Sequence, residues 1–355
     1  MQERLAAEFP DHFAVEPRYR MTHHYPRIRP YGVHAPEKEA GERLLAREVI
    51  HFAFYMPHDH PDIAAGVSHA FNCYMNAVGE GSDTINACAF GHYSHGPLSV
   101  ERWKRIRELL LPDRPFRYAE DCNDPYRLRE MEKSGNETWI HLGNGHDRLS
   151  GFKLTYSARI PSRDREPSDY DVSYLEGMLP TEYLEEHGPA AVRELVLDLA
   201  SGLHFASGHA GLSFDSLMGD VFFTPRIRAE ILRHPGFSLH HGSTPDGMGT
   251  RIDGVHWLNF LGLPIIQELG GVSALRSRLI SPGTTVQAMD ETRAVVTLGD
   301  WPEAGDLNRD NALPAYREFS RALEPWLDKP FEAPNFRVEG FTQEEALNWA
   351  RRFLD

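Results

Sequence analysis

DGVHWLNFLGLPIIQELGGVSALRSRL, residues 253–279, is the stretch whose reading decides the fold. Read as a strand, Val255 to Leu261 puts Val255, Trp257, Asn259 and Leu261 on one face and His256, Leu258 and Phe260 on the other. Both faces are mostly apolar, so a strand here is expected to be covered on both sides. Gly262 turns the chain, Pro264 suits a first helical position, and Ile265, Ile266 and Leu269 give a short helix an apolar face. Gly270-Gly271 stops that helix, because glycine readily takes the left-handed conformation at a helix C-terminus. A second short helix follows through Ala274, Leu275 and Leu279. The stretch reads as a packing hub, with no nucleophile, acid–base pair or phosphate loop, so it is expected to be core.

Outward from the hub, residues 47–56 read as a buried strand with Ile50, Phe52, Phe54 and Met56 on one face. A helix follows from about Pro61, carried by Ile63, Val67, Ala70, Phe71, Tyr74 and Val78 and ended by Gly79. Residues 86–98 fit a short strand and a loop, and 99–111 fit a helix. Thr138 to Leu142 and Phe152 to Tyr156 read as a hairpin with one wet face. Val192, Leu195, Val196 and Leu199 mark another helix, and Gly202 to Asp215 a glycine-interrupted strand. Thr224-Pro225 opens a helix that Pro235-Gly236 stops. After the hub, Thr284–Gln287 and Ala294–Leu298 form a hairpin, Leu313 to Leu327 a helix, and Thr342 with Glu345 a capping box for the last helix. The mixture of β-α and β-β order predicts an α+β fold, with mostly antiparallel or mixed sheet packed with helices. Residues 1–44 are expected to be an extended N-terminal arm. Residues 45–330 are read as the main domain, either one large unit or two packed halves meeting near 160–180, and 331–355 as a helical tail.

The chain has 355 residues, 37 Lys plus Arg against 52 Asp plus Glu, and a net charge of −15. That charge disfavours nucleic acid and anionic membrane as direct partners and is compatible with a basic protein partner. Three cysteines without CxxC spacing argue against a disulfide framework or a thiolate zinc site. There is no signal-peptide pattern and no apolar run of about eighteen residues, so a cytoplasmic location is the expectation.

Nineteen histidines invite a metal reading. His58-Asp59-His60-Pro61-Asp62 is the best cluster, since imidazoles and carboxylates are sound transition-metal ligands. It would support a metal-dependent hydrolase as the alternative function, although Asp59 or Asp62 at a strand-to-helix junction can simply cap. No HExxH or His/Cys zinc spacing occurs. GHYSHG at 91–96 fails as a nucleophile elbow, and GSTPDGMG at 242–249 is a turn rather than a phosphate cradle. No catalytic residue, metal or cofactor is expected. The most acidic stretch, 163–186, holds Asp164, Glu166, Asp169, Asp171, Glu176, Glu182, Glu185 and Glu186 against Arg163 and Arg165.

HWLNFLGLPIIQELGGVSAL at 256–275, GDVFFTPRIRAEI at 219–231 and VVTLGDWPEAGDLNRDNALPAYREFSRALEPW at 295–326 together resemble the type VI secretion immunity family, with its WLNFLG…LGG signature. The resemblance covers roughly residues 45–330 and is strongest after 170. It implies a protein that binds and neutralises a toxin effector, encoded in the neighbouring gene, and so protects the producing cell. It supplies no catalytic residues, and it makes a nuclease-type toxin the expected target. An acidic inhibitor steers onto a basic nuclease, which makes Asp164, Glu166, Asp169, Asp171 and Glu176 the candidate partner-binding residues. Oligomeric state is left open.

Overall fold

The structure is a computed structural model that describes residues 18–32, 43–90, 94–112, 139–145, 149–159, 172–216, 225–239, 248–329, 338 and 341–355. Its strands are β1 (Arg18–Met21), β2 (Pro26–Arg29), β3 (Tyr31–Gly32), β4 (Arg43–Leu44), β5 (Ala46–Met56), β6 (Ala87–Phe90), β7 (Ser94–Pro97), β8 (Trp139–Gly143), β9 (Lys153–Ser157), β10 (Ser173–Pro180), β11 (Ser207–Ser216), β12 (Leu258–Leu261), β13 (Thr284–Ala288) and β14 (Ala294–Leu298). Its helices are α1 (His60–Val78), α2 (Val100–Leu109), α3 (Thr181–Ser201), α4 (Pro225–Arg233), α5 (Ile265–Glu268), α6 (Gly271–Arg278), α7 (Pro314–Leu323) and α8 (Gln343–Ala350).

Ten strands form one sheet in the order β13-β14-β12-β11-β5-β10-β9-β8-β6-β7, and two small sheets pair β1 with β2 and β3 with β4. The pairings are antiparallel, for example Phe54 opposite Leu175 on β10 and opposite Gly208 on β11. The fold is α+β. All eleven residues of β5 are buried, which is why its sequence reads as a nearly continuous apolar run. β10 and β11 flank β5 on its two sides, and α3 carries the chain from one to the other.

The two faces of the sheet differ in chemistry because successive strand residues point to opposite sides. Ile50, Phe52, Phe54 and Met56 share one face with Leu154, Leu175, Leu179 and Leu212, where Ile63, Val67 and Phe71 of α1 and Val192, Val196 and Leu199 of α3 complete the main core. Gly177 and Gly208 beside β5 leave space for the Phe52 and Phe54 rings; a Cβ at either would stand 2.3 or 2.6 Å from a ring carbon. α1 and α3 meet at Gly66 and Gly202, where a Cβ on Gly66 would lie 1.9 Å from the Gly202 carbonyl oxygen. On the opposite face, Leu261, Ala294, Val296 and Leu298 build a second core with Ile265, Leu269 and Leu275 of the hub helices and Tyr316, Phe319 and Leu323 of α7. Between that core and the exposed far end of the sheet, the same face carries His51 and Tyr55 of β5, Glu176 of β10 and His209 of β11.

The hub folds largely as its sequence reads, with two differences: Pro264 stands at the N-cap of α5 instead of its first helical position, and the strand is shorter. β12 begins only at Leu258. Asn259 accepts from the His256 backbone N–H (2.9 Å) and donates to the His256 carbonyl (2.8 Å), so residues before Leu258 are held in a turn by one side chain. The capping box of α8 is present, with Glu345 N–H donating to Thr342 Oγ1 and Thr342 N–H to Glu345 Oε2.

The arm also contributes to the interior. Tyr25 and Ile28 belong to the main core at 1% and 0% exposure. Arg29 donates to the fully buried Glu48 carboxylate (2.6 Å) and to Glu182 at the start of α3 (2.5 Å), while Arg47 also pairs with Glu182 and Arg27 with Glu185. Glu182, near the end of the acidic stretch, therefore sits in the first turn of a helix and is neutralised by three arginines, while Glu185 pairs with Arg27 and Glu186 is exposed. Carboxylates favour that helix end, where backbone N–H groups lack partners.

Candidate functional site

The sequence-predicted cluster at residues 58–62 is structural. His60 is buried with Nδ1 against the Tyr156 hydroxyl (2.9 Å) and Nε2 against the Leu111 carbonyl (3.2 Å), so both ring nitrogens are engaged. Burial lowers its pKa. Asp59 stands at the N-cap position of α1, but its carboxylate accepts from Arg159 Nε (2.9 Å) instead of capping. His58 faces His204 edge-on, with ring centroids 6.0 Å apart. Asp164, Glu166, Asp169 and Asp171 lie outside the described residues. Glu176 lies in β10, its side chain 19% exposed and Oε2 3.7 Å from His51 Nε2.

The convergence of ionisable groups falls at the entrance of the hub, which the sequence reading took as core without an acid–base pair. Asp253 and His256 are that pair, with Oδ1 3.5 Å from Nε2. Asp253 Oδ2 also lies 3.0 Å from His209 Nδ1 and accepts from the Tyr55 hydroxyl at 2.9 Å. His209 Nε2 is 3.1 Å from His51 Nδ1. The result is a continuous path from Asp253 through His209 and His51 to Glu176, across β11, β5 and β10. His256 stacks on His209, with centroids 3.8 Å apart and planes 13° apart. Its ring occupies the space above Gly211, where a Cβ would come within 3.2 Å of the His256 Cβ. Burial alone would raise the Asp253 carboxyl, but His209 and His256 more than offset it and hold the group well below the usual carboxylate range. Burial, then the Asp253 charge, pushes the Tyr55 phenol up.

Among the described residues, His209, Asp253 and His256 are the group of three metal-ligating side chains whose donor atoms all lie within 4.8 Å of one another. Asp253 and His256 also line a small cavity of about 110 Å³, closed from the other side by Trp349, Arg352 and Phe353 of the C-terminal segment. Arg352 is held there by the Pro235 and Phe237 carbonyls (2.8 and 3.4 Å), and burial lowers its pKa to about 10. A larger recess of about 560 Å³ lies at the far end of the sheet, floored by Ala87, Ala89 and Gly143 beside His95 and His141. The i,i+3 spacing of Asp253 and His256 was visible in the sequence. Its approach to His209 and His51, from strands 44 or more residues upstream, was not.

No helix among the described residues is long and apolar enough to cross a membrane. No curated protein matches the chain. The fold is similar to that of the Pseudomonas aeruginosa T6SS protein PA0821, with a TM-score of 0.63 and 19% identity over 88% of this chain and 85% of that one. A family model described as TsiV, type VI immunity for VRR-NUC, matches residues 129–353, a span that takes in the hub, the β13–β14 hairpin, α7 and α8. The chain belongs to that family of type VI immunity proteins, which act against a nuclease-type effector.

Proposed function

We propose that the chain neutralises its toxin by binding and occluding it, with no bond made or broken, and that the toxin is encoded beside it. The single observation that carries this reading is the family match across residues 129–353. A nuclease must approach phosphates and therefore presents positive charge. A protein of net charge −15 is suited to steer onto such a surface and cover it. The contact surface of this proposal comprises Asp164, Glu166, Asp169, Asp171 and Glu176. Glu182 and Glu185 are excluded from it, because Arg27, Arg29 and Arg47 already neutralise them. Reducing cytoplasm is the setting, since the toxin must be met before it reaches nucleic acid.

Co-expression with the product of the neighbouring gene tests the reading. Rescue of growth and a stable complex of the two purified proteins are expected, and loss of nuclease activity in that complex. Absence of both rescue and binding would remove the proposal. Turnover of the toxin, seen as a cleaved or modified product at substoichiometric inhibitor, would replace occlusion with catalysis.

A further inference from the structure

We propose that His209, Asp253 and His256 bind one divalent transition-metal ion of the zinc type, which braces the hub against β5 and β11. This inference is independent of how the toxin is bound.

The donor set comes first. Two imidazoles and a carboxylate suit zinc and its neighbours. Around a tetrahedral ion, nitrogen and oxygen donors stand about 3.3–3.5 Å from one another. Asp253 Oδ2 lies 3.0 Å from His209 Nδ1 and Oδ1 3.5 Å from His256 Nε2, with all three donors within 4.8 Å. His256 is 4% exposed, and its Nε2 has no hydrogen-bond partner.

The surroundings of the donors fit as well. Asp253 lies 3.0 Å from His209 Nδ1, and His209 Nε2 lies 3.1 Å from His51 Nδ1. With a cation on His209 Nδ1, the tautomers of both rings are set. His209 Nε2–H then donates to His51 Nδ1, and His51 Nε2–H points at Glu176. Metal-bound histidines characteristically pass their other N–H to such a partner, which fixes tautomer and ring orientation. Tyr55 does the same for the carboxylate, donating to Asp253 Oδ2 at 2.9 Å.

There is also room for the ion. His209 and His256 lie almost parallel, so their lone pairs run side by side until one ring turns. His256 lines the cavity of about 110 Å³, which gives its ring space to turn and supplies water for the ion's remaining position. With His209 at 2% and His256 at 4% exposure, the ion is enclosed by protein.

The test uses untagged full-length protein, stripped with a chelator and dialysed against zinc chloride. About one ion per chain is expected to be retained, with a Tm rise of roughly 4 °C at a hundredfold excess of zinc over Kd. Asp253→Asn and His256→Gln should each lose both the ion and the shift while keeping the circular-dichroism spectrum of the wild type. His69→Ala, at the exposed His69–Cys73 pair of α1, should keep both. A wild-type protein that retains no zinc overturns the proposal. So does equal retention by His256→Gln, which also decides the matter if Asp253→Asn does not fold.

Discussion

His60 spends both ring nitrogens on the interior, against Tyr156 and Leu111, and burial holds it on the neutral side. His234 is also fully buried, with Nδ1 2.5 Å from the Gly305 carbonyl and its pKa lowered by burial. A histidine whose folded pKa is depressed binds fewer protons folded than unfolded. Its stabilising contribution is therefore complete above the unfolded value of about 6.5 and is lost as pH falls through the depressed folded value. Urea unfolding should show stability declining between about pH 7 and pH 5, and His60→Gln should flatten that decline while lowering stability at neutral pH. An unchanged slope in His60→Gln would show that the histidine titrates as it does in the unfolded chain. His60 also explains why a sequence reading favours metal sites too readily. HDHPD shows donor atoms in a row, but which of them the fold has already used depends on Tyr156 and Leu111, 96 and 51 residues away.

At the scale of elements, contact between α1 and α3 depends on two glycines. Gly66→Ala would drive a methyl against the Gly202 carbonyl and force the helices apart, with a cost of about 3 kcal/mol in chemical denaturation. The β1–β2 hairpin is fastened more electrostatically. Arg29→Ala would leave Glu48, whose side chain is fully buried, without its main cation, at a cost of about 3 kcal/mol that Arg29→Lys should restore only in part, because lysine lacks the fork that reaches Glu48 and Glu182 together. β5, α1, the β13–β14 hairpin and the α8 cap were legible in the sequence because each is specified locally, by period, by glycine or by a capping pair. The start of α3 was not. Glu182 and Glu185 read as surface charge because the arginines that neutralise them lie more than 130 residues upstream.

At the scale of the whole molecule, the charge of −15 makes a kinetic prediction. Association with the toxin should slow by tenfold or more between low and physiological salt, on the order expected for steered encounters. Replacing Asp164, Glu166, Asp169 and Asp171 with lysine together should lower the on-rate while leaving Tm within about 1 °C, as for exposed charges. An on-rate indifferent to salt would move the contact to an apolar surface elsewhere on the chain.

The sequence by itself determined the α+β class, the central strand, the hub and the family, because these follow from periodicity, turn chemistry and a motif that are all contiguous in the chain. Only the tertiary structure decided that the hub's entrance is ionisable rather than purely apolar. Asp253 and His256 acquire their chemistry from His209, His51, Tyr55 and Glu176, and strand register alone brings those four side chains together on one face of the sheet. Register is a long-range property, set by which strands pair, and no local pattern at residues 253–256 records it.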